Sequence, residues 1–366
     1  MVGEDSTSSQ LAEPPLKPLL PGDLDQSLLR KLASRVIEAT WKKKLLTQWS
    51  WGEGVYLLSQ IRYHQISGEK VPQEIIDWYI RNREIKLGHI NNVAPGAGAA
   101  RLARDPKFDG SDIHGKLKDW IARGEGITYA SNGALEHWRG SVWADTCYMM
   151  GSYYLNLGVA ENRADYIGFV GKQLSAHIEL LQHREIKLYA HGSYEGKTLW
   201  NFWGRGNAWM ALSCIEYLDA CEALSIRDEN YSHILEALRN QLQALAPLLP
   251  DYGIWDVLVD RQIENRGVLE TSATAGLGSA YIRAARYDSS NSEIWHNFGK
   301  RVIAAALTYI DETGVLTRTS AGTVLQLIPF GYSVIKDDRP QLWGQGLALQ
   351  AITSFLYPSA NQITLA

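Results

Sequence analysis

Trp143-Ala144-Asp145-Thr146-Cys147-Tyr148-Met149-Met150 opens on a small, polar cluster and runs on as an apolar helix. The same arrangement recurs, weakly but in order, along the chain. It is found at Gly52-Glu53-Gly54-Val55, Ala94-Pro95-Gly96-Ala97, Gly206-Asn207-Ala208-Trp209, Thr271-Ser272-Ala273-Thr274 and Gly344-Gln345-Gly346-Leu347, each continuing into a stretch rich in Ala, Leu and Gly. Between these lie amphipathic, charged helical segments, such as those at about 161–182, 230–248 and 292–310. Small residues suit helices crowded around an axis, whereas one apolar stripe and one polar face suit helices outside them. The alternation therefore predicts an all-α protein, an (α/α)6 barrel, with the starts of the six inner helices converging on one funnel.

Working outward, Leu28, Leu29, Leu32, Val36 and Ile37 share a helical face, and further helices are expected at about 51–64 and 72–85. Strands are scarce, with short candidates only near 127–130, 187–190 and 315–318. Residues 1–24, with Pro14, Pro15, Pro18 and Pro21 in a polar setting, read as a tail or strap, and residues 25–366 as a single barrel domain.

Composition narrows the function. The chain of 366 residues is 45% hydrophobic and 21% charged with a net charge of -4, which describes a globular protein with ample core and no electrostatic case for nucleic acid. No apolar run approaches bilayer length, so no membrane partner is expected. Cys147, Cys214 and Cys221 form neither a zinc-type pair nor a disulfide framework, and the acidic N-terminus lacks the blocks of a secretory signal. A cytoplasmic protein without metal or cofactor is the expectation, and oligomeric state leaves no signal. The 13 Trp and 18 Tyr against 6 Phe favour half-wet aromatic surfaces, as in pockets where sugar C–H faces stack on rings and hydroxyls need partners.

Two readings of Asp145 stand side by side. Crowded by Trp143, Tyr148 and Met149, a partly dry carboxyl would have its pKa raised and could give up a proton near neutrality. Alternatively, Ala144-Asp145-Thr146 is an ordinary helix cap. His64, His177, His183, His233 and His296 have no partners at ligand spacing, and Gly204-Arg205-Gly206 and Gly344-Gln345-Gly346 lack the context of a phosphate loop.

Taken in order, Val142-Trp143-Ala144-Asp145-Thr146, His191-Gly192-Ser193, Phe202-Trp203-Gly204-Arg205-Gly206-Asn207-Ala208-Trp209, Glu270-Thr271-Ser272-Ala273-Thr274-Ala275-Gly276 and Trp343-Gly344-Gln345-Gly346 resemble glycoside hydrolase family 105, the unsaturated rhamnogalacturonyl hydrolases, and the related unsaturated glucuronyl hydrolases of family 88. The resemblance spans roughly residues 30–357 and implies the six-hairpin toroid. It also implies an oligosaccharide substrate, Asp145 as proton donor, and a sugar pocket lined by His191, Arg205 and Trp209, with His137 nearby. Arg205 would pair with a uronate carboxylate, Trp51 or Trp209 would supply a stacking face, and Trp143 would flank the acid. In that chemistry a terminal uronic acid with a C4=C5 double bond is protonated at C4 and hydrated at C5, so the usual pair of catalytic carboxylates is unnecessary. One position departs from the family pattern: Asn91, in Ile90-Asn91-Asn92-Val93-Ala94-Pro95-Gly96, stands where a second Asp is common. An amide can hydrogen-bond but carries no charge, which leaves open altered substrate preference or a sugar-binding or biosynthetic protein that has lost turnover. Terpene or lanthionine cyclases on an α/α toroid would need an Asp-rich cluster or a Cys/His zinc site, and neither pattern is seen.

Overall fold

The computed structural model describes residues 14–365. Inner helices are buried on nearly every side: α2 (Trp51–Ser67), α4 (Pro95–Arg101), α6 (Ala144–Glu161), α8 (Gly204–Ala223), α10 (Thr271–Ala284) and α13 (Leu342–Leu356). Each starts at a small cluster of the sequence pattern. Neighbouring inner helices touch in the order α2, α4, α6, α8, α10, α13 and back to α2, which closes a ring. Outside it lie α1 (Gln26–Lys42), α3 (Gln73–Arg81), α5 (Ser111–Arg123), α7 (Ala164–Leu181), α9 (Tyr231–Leu245) and α11 (Ser292–Leu307). Their buried residues form single stripes, as with Leu29, Leu32, Ala33 and Val36 of α1. The expected (α/α)6 barrel is the observed architecture.

Close approach explains the small residues. A Cβ on Gly54 of α2 would lie 2.5 Å from the backbone N of Pro95 and 2.6 Å from the carbonyl carbon of Ala94, so α2 and the start of α4 pack backbone to backbone. No helix among the described residues is long and apolar enough to cross a membrane.

Three details differ from the sequence reading. The strand candidates hold only isolated bridges, Tyr129 to Leu135, Gln182 to Tyr189 and Ile310 to Leu316. The ladder present is a hairpin of β1 (Gly192–Tyr194) and β2 (Lys197–Leu199), and its turn residues Glu195 and Gly196 both adopt positive φ, 47° and 76°. That is a primed turn matched to strand twist, and it needs no β-branched alternation. Helix α5 was not expected; the one-turn helix α12 (Phe330–Ser333) sits in the long connection before α13. Of the proline-rich strap, residues 1–13 lie outside the described region. The remainder rests on the barrel, with Leu16 N–H donating to the Tyr309 hydroxyl (2.8 Å) and Leu19 N–H to Thr308 Oγ1 (2.9 Å).

Candidate active site

The funnel end of the barrel holds a cavity of about 230 Å³ lined by Trp51, Asn91, His137, Trp138, Trp143, Asp145, Trp203, Arg205, Gly322, Thr323 and Val324. Four of the chain's 13 indoles therefore wall one small space, while others such as Trp78 and Trp255 are core. Among the described residues, Asp145 is the single carboxylate on that wall.

Asp145 is the second residue of α6 but does not cap it. Trp143 is the capping residue, in extended backbone (φ -125°), and no side chain satisfies the first turn. The carboxylate is thus free to face the cavity, 8% exposed, and its Oδ2 makes no close hydrogen bond. His191 Nε2 stands 3.5 Å from Oδ2, loose for a hydrogen bond and mainly electrostatic at that range.

Backbone pairing fixes that distance. Ala144 N–H donates to the His191 carbonyl (3.0 Å) and Ser193 N–H to the Val142 carbonyl (2.8 Å), tying the start of β1 to the start of α6. Gly192 is required there, because a Cβ would meet the Val142 oxygen at 2.7 Å. On its far side His191 Nδ1 is 2.8 Å from the Tyr332 hydroxyl, which accepts from Gln326 N–H (3.4 Å). The consistent assignment has Tyr332 donating to Nδ1, leaving the proton on Nε2 to point at Asp145.

The acidity of Asp145 departs from the sequence expectation. Burial pushes it up, but His191, together with His137 and Arg205, outweighs burial and holds the carboxyl below its ordinary value. Burial pulls His191 below its ordinary value, against the pull of Asp145, and His137 down to about 3. His137 stacks face to face on Trp143, centroids 3.8 Å apart at 7°, with Nδ1 2.9 Å from Thr146 Oγ1.

His89, missed in the sequence, bridges two walls. Its Nδ1 accepts from Asn91 N–H (3.1 Å), so Nε2 carries the proton and donates to the His137 carbonyl (2.6 Å). Asn91 is 3% exposed and its Oδ1 is buried without a partner, an unsatisfied amide on the cavity wall.

Arg205 lines the cavity but is not a free fork for a carboxylate. Nη1 pairs with Glu270 Oε2 (3.0 Å) and donates to Ser320 Oγ (2.8 Å), and Nη2 donates to the Ala321 carbonyl (2.9 Å) and Thr323 Oγ1 (3.1 Å). Its plane also lies against Trp203, 4.5 Å from the ring centre. The expected direct grip on a uronate is replaced by two roles: a buried positive charge behind the wall, and an anchor for residues 320–323. Glu270 braces that anchor.

Trp209 is corrected outright. It is fully buried, stacked on Tyr148 at 4.6 Å, and does not reach the wall. His191 also stands behind Asp145 rather than on the wall. Trp51 does line the cavity, stacked on Trp343 at 4.5 Å. Trp138, Trp203 and residues 322–324 are further wall residues; Trp203 lies in the family-like stretch Phe202–Trp209, an aromatic-rich loop was the signal for Trp138, and none marked 322–324.

Indole walls around one buried carboxylate, at the funnel end of a helical toroid, are the equipment of a glycoside hydrolase. The chain belongs to Glycosyl Hydrolase Family 88, whose profile matches residues 28–357. It is 27% identical to the unsaturated rhamnogalacturonyl hydrolase YesR of Bacillus subtilis (strain 168), over 91% of this chain and 96% of that protein. Its fold is similar to a possible GH105 member from Salmonella enterica subsp. enterica serovar Paratyphi A (TM-score 0.79, 23% identity, covering 97% of this chain and 99% of the other). A possible GH105 member from Klebsiella pneumoniae is comparable (TM-score 0.77, 23% identity, 91% and 94% covered).

Proposed function

We propose that this enzyme releases a terminal 4,5-unsaturated uronic acid from lyase-generated oligosaccharides, with Asp145 as the single acid. The observation that carries the reading is the lone carboxylate of the cavity, faced by the amide of Asn91 rather than by a second acid. Hydrolysis with a conventional pair of carboxylates is not available to such a wall. Hydration of an enol ether is.

In the proposed sequence Asp145 gives its proton to C4, the C4=C5 electron pair forms the new C–H bond, and positive charge develops at C5 and the ring oxygen. Water adds at C5 while the Asp145 carboxylate takes one of its protons. The hemiketal opens by breaking the bond from C5 to the ring oxygen, giving a C5 ketone, and the hemiacetal left at C1 expels the second sugar.

The carboxyl must be protonated at the start, although Asp145 alone lies below its ordinary value. A bound uronate supplies the correction, because it adds a like charge and displaces water, and both raise the pKa. Gly322, Thr323 and Val324 suit the uronate carboxylate: they line the cavity beside the charge of Arg205, and their backbone N–H groups have no acceptor among the described residues. The Bacillus subtilis relative supports the same reaction class.

The test is loss of the C4=C5 absorbance on incubation with unsaturated uronyl disaccharides. Asp145→Asn should lower kcat about a hundredfold or more. Unchanged absorbance with every uronyl disaccharide, or full activity in Asp145→Asn, would sink the assignment.

A further inference from the structure

The catalytic cavity is too small for the whole of an oligosaccharide. At about 230 Å³ it falls below the roughly 300–1,000 Å³ typical of ligand clefts, enough for the terminal ring and little else. The remaining sugars have to lie on the surface around its mouth.

Two directions lead away. On one side, the loop after Val324 exposes aliphatic side chains, with Val324 61%, Leu327 76% and Ile328 60% exposed. Such a surface offers sugar hydroxyls no partners and would strip water from them at a cost. On the other side lies a groove of about 660 Å³ lined by Thr47, Gln48, Trp49, Ser50, Asn82, Glu84, Lys86, Leu87, Gly88 and Asn92. The groove abuts the cavity directly, since Ser50 and Asn92 line the groove while Trp51 and Asn91, their chain neighbours, line the cavity. A second polar hollow, around Asp311 and Arg318, shares no residue or chain neighbour with the cavity.

We propose that the groove at Thr47–Ser50 and Asn82–Asn92 is a distal subsite that holds the neutral, hydroxyl-rich sugar units beyond the first aglycone residue. This rests on the hydrolase reading of the adjoining cavity. The lining is mostly amide, hydroxyl and indole, and the opposite charges of Glu84 and Lys86 leave it without net charge, which suits uncharged sugars.

Its frame is built in advance. Trp49 stacks on Trp78 (5.9 Å, 22°) and donates its indole N–H to the Asn92 carbonyl (2.7 Å). Asn92 Oδ1 accepts from Ser50 Oγ (3.4 Å) and Trp51 N–H (3.3 Å), and Gln48 N–H donates to the buried Glu53 carboxylate (3.3 Å). A rigid wall loses little entropy when it binds. Asn92 is the partition that joins both sites.

The experiment compares an unsaturated disaccharide of one uronyl unit and one neutral sugar with a tetrasaccharide that extends the same aglycone by two further neutral sugars, using the full chain. The tetrasaccharide should have kcat/KM about tenfold higher, mostly through KM, the effect of one or two net hydrogen bonds. Gly88→Trp fills the groove, since a Cβ there meets nothing within 4 Å, and should bring the ratio of the two substrates to about one. Gln48→Ala with Lys86→Ala, which only removes contacts, should lower the ratio in the same direction. Equal kcat/KM for both lengths in the wild type, or a ratio untouched in both variants, overturns the subsite. Calorimetric affinities for the saturated di- and tetrasaccharide repeat the comparison without turnover. Absent chromophore loss therefore strikes the hydrolase reading, whereas equal affinities for both lengths strike the groove.

Discussion

Replacing Glu270 with glutamine tests how the cavity wall is held. Glu270 is fully buried; Oε2 pairs with Arg205 Nη1 at 3.0 Å and accepts from Ser320 N–H (3.3 Å) and the Ser320 hydroxyl, and Oε1 accepts from Ser272 Oγ (2.5 Å). Every one of these contacts is a donor pointing at the carboxylate. Glutamine keeps one acceptor, turns an N–H2 toward donors, and leaves the Arg205 guanidinium, 1% exposed, without its paired carboxylate. Breaking a buried pair from one side costs about 3–5 kcal/mol. Unfolding entropy of about 2.1 cal/mol/K per residue amounts to roughly 0.8 kcal/mol/K over 366 residues, so Tm should fall by about 4–7 °C. Scanning calorimetry reads this directly. The paired change Arg205→Met with Glu270→Gln should cost less than the sum of the two single changes, because no orphan charge remains. A Glu270→Gln protein melting within about 1 °C of wild type, or strictly additive single costs, would refute the reasoning.

Tyr332→Phe removes the donor that sets the His191 tautomer, so kcat should fall about tenfold with KM little changed; an unaltered kcat rejects the relay from Tyr332 through His191 to Asp145. Gly54→Ala should destabilise by about 1–3 kcal/mol in urea titration, since the added methyl meets the backbone of Ala94 and Pro95 rather than a movable side chain. Stability should also decline as pH drops from about 6.5 toward 4. Burial lowers His114 to about 4, His137 to about 3 and His177 to about 4, so in this window the unfolded chain binds their protons and the folded chain does not. Asp256, pushed up to about 6 by burial, acts with the opposite sign. Three groups against one leave a slope of up to about 3 kcal/mol per pH unit, and flat denaturation midpoints between about pH 6 and 5 contradict it.

The chain order of small clusters and charged helices was enough to write down the barrel, because crowding at an axis and exposure outside it impose different compositions on helices of similar length. It also brought Asn91, Asp145 and Arg205 together, since the starts of inner helices meet at one end whatever the loops do, whereas Trp51 and His137 were pointed to by the family resemblance and Trp143 by its place beside Asp145. Depth was not legible. Arg205 and Trp209 lie four residues apart on one face of α8, yet one turn, about 5.4 Å, separates a residue on the wall from one sealed in the core. Nor could sequence show that Trp143 takes the capping position and frees Asp145, that Tyr332 arrives from the distant helix α12 to orient His191, or that His89 ties the Asn91 turn to the His137 carbonyl. The direction of the Asp145 shift was decided by tertiary structure as well: burial could be read from the flanking aromatics, but the opposing field of His191, His137 and Arg205 exists only once the funnel is assembled.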